Sequence, residues 1–203
     1  MNMMSPLPPP LNTGPQFTPE NLGQLQAART DMRKLRRAVS VATFDGWTLG
    51  IFGALTVLMG LTDPTNLVLG IAMVAAALVE LRSVPRLRML DPAIPKRLAI
   101  NQLAMGAVLL LYAGWRMVVT LRSGAGELMS LAGTDPQVRQ IIEPFDGLMR
   151  MVTLAVYCGM MVIAIFGQGG MALYYFSRGR HLQDYLTRTP PWIIAMQQAG
   201  VSP

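Results

Sequence analysis

Four long apolar runs, at 40–61, 66–81, 98–121 and 149–176, constrain this chain more than any other feature it has. A helix needs about 20 mostly apolar residues to cross the ~30 Å hydrocarbon core of a bilayer. The first, third and fourth runs meet that length directly. The second is shorter, and Pro64-Thr65 and Ser83-Val84 extend it to 64–84. The runs are apolar all round rather than along one stripe, which argues against a water-soluble four-helix bundle. Only 14% of the residues are charged, and the mean hydropathy is +0.38; soluble domains carry about 25% charged residues. The pattern predicts an all-α integral membrane protein. It should have four transmembrane helices in two hairpins, an N-terminal basic amphipathic helix and short interfacial helices.

The basic residues orient this arrangement. Arg29, Arg33, Lys34, Arg36 and Arg37 precede the first run. Arg82, Arg86, Arg88, Lys96 and Arg97 fall between the second and third, and Arg178, Arg180 and Arg188 follow the fourth. Arg122, Arg139 and Arg150 stand on the opposite side, and Arg116 lies inside the third run. Cytoplasmic loops carry the excess of Lys and Arg, so both termini are expected in the cytoplasm. The expected setting is a multi-pass protein of a bacterial inner membrane. The same reasoning makes the pI near 10.1 a topology signal. Nucleic-acid binding is excluded, since no basic stretch is interleaved with stacking aromatics. Residues 1–20 show neither the basic nor the apolar region of a cleavable signal, so the first span is expected to act as its own insertion signal. Cys158 is the sole cysteine, so it cannot form an internal disulfide.

Segment by segment, residues 1–17 read as a proline-rich disordered tail with one PxxP pattern, from Pro6 to Pro9. Thr18-Pro19-Glu20 is a helix start. Apolar positions Leu25, Ala28, Met32, Leu35 and Val39 then recur at helical spacing, with the arginines along one flank. Residues 18–39 are thus expected to lie on the inner leaflet as a basic amphipathic juxtamembrane helix directly before the first span. There Arg29, Arg33, Lys34, Arg36 and Arg37 would attract anionic lipid by about 1 kcal/mol each. The transmembrane domain should occupy 40–177, with spans at 40–61, 64–84, 98–121 and 149–177. An outer amphipathic helix at 135–146 carries Val138, Ile141, Ile142 and Phe145 on one face, and Pro144 should keep it short. The fourth run is too long for the bilayer, and Gly167-Gln168-Gly169-Gly170 is its natural bend. Residues 178–203 are expected as a cytoplasmic tail with one short helix near Trp192.

Candidate functional residues are few. Gly46, Gly50, Gly53 and Gly60 share one face of the first span, where small side chains let backbones approach. Packing inside the chain is the favoured use of that face, and a dimer interface the alternative. Asp45, Glu80, Asn101 and Gln168 reach a common depth near the inner ends of their spans, with Gln102 beside Asn101. Ionisable groups in spans mark sites, so this polar cluster could hold a cation or proton. The competing reading is interfacial charge pairing, Glu80 with Arg82 or Asp45 with Arg97. Arg116 is an intramembrane charge that either pairs with Asp146 or Glu143 or snorkels outward beside Trp115. No catalytic set, metal-ligand cluster or nucleotide loop is present in the sequence, and the 16 methionines contain no MxxxM pair. No cofactor is expected. The sequence favours a non-enzymatic structural or accessory membrane subunit, with a membrane-protein partner or a second copy of itself. The alternative is a small oligomeric transporter or channel with an inner-side acidic site.

Overall fold

Thr18 starts the first helix as its sequence predicts: its hydroxyl accepts the Asn21 amide at 3.2 Å, and Pro19 occupies the first turn. The computed structural model describes residues 18–123 and 136–199, and at 123, 136–144 and 146 the backbone alone. The stretch 1–17 with its PxxP pattern lies outside the described residues. So do the side chains of Val138, Ile141, Ile142, Glu143 and Asp146. Helix α1 runs unbroken over Pro19–Met59, 41 residues, or about 60 Å at 1.5 Å per residue. The helix expected over 18–39 thus continues without a break into the first apolar run. No Gly or Pro falls between positions 24 and 45, so nothing ends the juxtamembrane helix before the apolar run begins.

Asp63 opens α2 (Pro64–Arg88), its carboxylate accepting the Thr65 amide at 2.9 Å. α2 outlasts the expected end at residue 84. It passes through Pro85, which forfeits one backbone hydrogen bond, and closes at Met89. Leu90 then turns the chain with φ 62°, and α3 follows over Ile94–Ser123. Beyond the undescribed segment, α4 (Pro136–Ile163), a π-helical stretch (Ala164–Gln168) and α5 (Gly169–Arg188) form one continuous column. One expectation changes here. The outer helix at 135–146 is the first part of α4, because one internal proline removes a single bond and the chain continues helically past it. Within the expected tail, residues 178–188 continue α5 as helix. Next to the glycines at 167–170, where a bend is expected, residues 164–168 are π-helical. The short helix near Trp192 is α6, Pro191–Gln198.

Every described element is a helix, and four helices are long and apolar enough to cross a membrane. Their surfaces agree with that use. Phe44, Trp47, Phe52, Leu111, Phe166 and Leu173 are each more than half exposed. In the most apolar window of the fourth span only 6% of the residues are buried. A chain this bare of cover on its apolar faces is a multi-pass membrane protein, because water would not tolerate the patch.

Inside, the helices meet through small residues. A Cβ on Gly53 would lie 2.9 Å from Val74 N, one on Gly70 would lie 2.5 Å from Val57 N, and one on Gly60 would collide with the Leu67 backbone. Gly46 abuts Leu81 and Glu80. The glycine face of α1 thus packs on α2, with the contacts rising along one helix as they fall along the other. Nearer the basic end, Ala38, Ala42, Val84, Leu98, Ala99 and Tyr175 share a core. Beyond it a second core joins Ala28 and Leu35 of α1, Leu90, Leu182 and Tyr185 of α5, and Ile193 of α6. The apolar stripe expected to face lipid from residues 18–39 is therefore covered by the chain's own C-terminal helices. Arg29, Arg33, Lys34, Arg36 and Arg37 remain exposed on the other flank.

Candidate functional site: a buried acidic pair

Glu80 is the most deeply buried charged side chain among the described residues, with no exposed surface at all. Its position follows from the α1–α2 seam. Gly46 lets α2 approach so closely that the Glu80 side chain lies against it. That contact brings Asp45, the neighbour of Gly46, beside the Glu80 carboxyl. The Gln102 amide bonds to both carboxyls, which places them side by side.

α3 supplies the polar lining. Gln102, also buried, donates its amide to Asp45 Oδ2 at 2.5 Å and to Glu80 Oε1. Asn101 Nδ2 donates to the Ala76 carbonyl at 3.1 Å and to Glu80 Oε1 at 3.4 Å. From α5, the Tyr175 hydroxyl is buried without a hydrogen-bond partner. The structure thus gathers Asp45, Glu80 and Asn101. Gln168 stands one turn along, against Gly106, with its Oε1 buried and unpartnered. Gln102 proves more central than Asn101, since it alone bridges the two acids. Tyr175 has no distinguishing signal in the sequence, where it reads as an interfacial aromatic.

The expected charge pairs are not formed here. Arg82 and Arg97 are exposed, and among the described residues no cation meets Glu80 or Asp45. An ion pair among the described residues lies at the opposite end of the spans. Arg116 of α3 approaches Asp63 at 3.4 Å, donates from Nε to the Tyr157 hydroxyl at 2.9 Å and lies 6.0 Å from that ring's centroid. Tyr112 meets Tyr157 edge-on and donates to Asn66 at 2.6 Å. The partner foreseen for Arg116 was Asp146 or Glu143. Asp63, which caps α2, is a partner the sequence did not single out, and the side chains of Asp146 and Glu143 lie outside the described residues. Hydrogen bonds from Thr65, with help from Arg116, hold the Asp63 carboxyl below the usual carboxylate range.

At the basic end, Lys96 and Arg180 line a groove of about 500 Å³ together with Pro92, Phe176 and Gly179. Among the described residues no cluster of three or more His, Cys, Asp or Glu side chains could hold a metal ion. No protein-family model, curated protein or solved structure matches this chain.

Proposed function

We propose that this chain is a non-enzymatic structural or accessory subunit of a membrane assembly, with two membrane hairpins and its basic end in the cytoplasm of a bacterial cell. The observation that supports it is the packed helical unit at that end, where α1 and α5 continue past the spans and α6 closes them. Burying Leu182, Ile193 and Leu35 there makes a rigid platform rather than two loose tails, and a rigid surface loses little entropy on docking. Its outward flank carries Arg29, Arg33, Lys34, Arg36 and Arg37, suited to anionic inner-leaflet lipids or to an acidic face of a partner protein. Lys96 and Arg180 line a groove that adds positive charge at the same end.

Affinity purification in mild detergent, followed by mass spectrometry, tests the subunit reading. A stoichiometric partner supports it, and a lone homo-oligomer counts against it. A reporter fused after Pro203 should read as cytoplasmic; an external signal overturns the orientation.

The buried acidic pair favours a second reading, a small oligomeric transporter or channel loaded from the basic end. Under that reading Asp45→Asn or Glu80→Gln abolishes ion flux in proteoliposomes. Flux that is absent in the parent, or unchanged in the variants, removes it.

A further inference from the structure

The carboxyls of Asp45 and Glu80 carry a charge that the surrounding side chains do not balance. Glu80 is wholly buried and Asp45 half-buried. Facing them are Gln102 and Asn101 from α3 and Tyr175 from α5, all uncharged groups. On neighbouring turns, Arg82 of α2 and Arg97 of α3 point to the surface and are exposed. Amide donors lend dipoles, not charge. An isolated buried carboxylate costs more than such hydrogen bonds return, and a second like charge alongside raises the cost again.

A separate observation points the same way. The Tyr175 hydroxyl is fully buried and has no hydrogen-bond partner, and Glu80 Oε2 is buried and unpartnered too. Buried polar atoms are nearly always satisfied. Two orphans beside two uncompensated acids outline a place for something positively charged. The Gln102 amide can serve either way, since its oxygen and nitrogen ends have the same shape.

We infer that Asp45, Glu80, Gln102 and Tyr175 form a binding site for one small monovalent cation, a proton or an alkali-metal ion, enclosed between α1, α2, α3 and α5. As a proton it bridges the two carboxyls. As an alkali ion it would draw on the carboxylate oxygens of Glu80 and Asp45 and, with the amide reversed, on Gln102 Oε1, the buried Tyr175 hydroxyl being a further neutral oxygen on the α5 side. Either leaves the pair with a single net negative charge, which the neighbouring amides can solvate. The site deepens the transport reading without depending on it: a cation that binds but does not cross leaves this site standing and sinks transport alone.

The experiment uses the full chain purified in mild detergent. Thermal unfolding is followed in NaCl, KCl and choline chloride at equal ionic strength, and infrared spectra are recorded for the parent, Glu80→Gln and Asp45→Asn. Glu80→Gln keeps the size and neutral hydrogen bonding of the side chain, so it should fold; Asp45→Asn serves independently. A saturable rise in Tm with Na⁺ or K⁺ over choline identifies an alkali ion. It should reach about 5–10 °C at a hundredfold excess over Kd and vanish in Glu80→Gln. A protonated-carboxyl band at neutral pH that disappears in either variant identifies a proton. If neither signal is present in the folded parent, both carboxyls are ionised without a bound cation and the inference is overturned.

Discussion

At the residue scale the molecule rests on a few polar side chains whose partners differ in kind. Glu80 is held by neutral amides, so the effect of replacing it depends on what remains for Gln102 and Asn101 to bond. Glu80→Ala leaves both donors with a lost acceptor and should cost about 1–3 kcal/mol, whereas Glu80→Gln should cost less. Denaturation of the two purified variants under one condition makes the comparison, and equal losses would show that the amides find other acceptors. Asp63 behaves oppositely, because hydrogen bonds from Thr65 and the Arg116 charge favour its ionised form. Its folded pKa lies below the ordinary 3.8. Its contribution is therefore full above that value and is lost as pH falls through the lower folded one. Asp63→Asn should flatten the acid limb of stability measured below about pH 4 and leave the neutral region little changed.

At the element scale the α1–α2 seam decides where everything else sits. Gly60 faces the Leu67 backbone with no room for a methyl group. Gly60→Ala should destabilise the pair by about 1–3 kcal/mol through forced separation, while Gly23→Ala, in open space on the same helix, should be neutral or stabilising. A thermal scan of the two variants distinguishes a seam from a general glycine effect. The seam was legible in advance: the spacing of Gly46, Gly50, Gly53 and Gly60 put them on one face. The identity of the opposing helix was not, since a small-residue face fits α2, α3 or a second copy equally well. Leu90 was not legible at all. A leucine at φ 62° occupies a conformation that favours glycine. It holds that conformation because its side chain is buried among Leu35, Leu182 and Ile193.

At the scale of the whole molecule, two helices longer than a bilayer is thick must go somewhere. They leave the spans together and are closed by α6, whose Ile193 is fully buried. Gln197 ties this helix to α5 through the Tyr185 hydroxyl, accepting at 3.0 Å. Ile193→Ala should therefore cost about 2–5 kcal/mol and loosen the basic end first. Limited proteolysis should then cut the α5–α6 region before the spans. Simultaneous loss of both regions would show that they unfold as one unit.

The sequence alone determined that four helices cross a membrane, and where their glycines and charges fall along them. Those properties follow from local periodicity, run length and the cost of placing charge in hydrocarbon. Tertiary structure decided what each charge and face meets. Asp45 and Glu80 are 35 positions apart in the chain, and Gln102 stands on a third helix, 22 positions beyond Glu80. Only the rotation of three packed helices about their axes turns these side chains toward one another. That rotation also sent Arg82 and Arg97 outward and gave Arg116 to Asp63. Common depth is readable from residue counts, but facing is not, because an error of one residue in where a helix sits turns a side chain by about 100°.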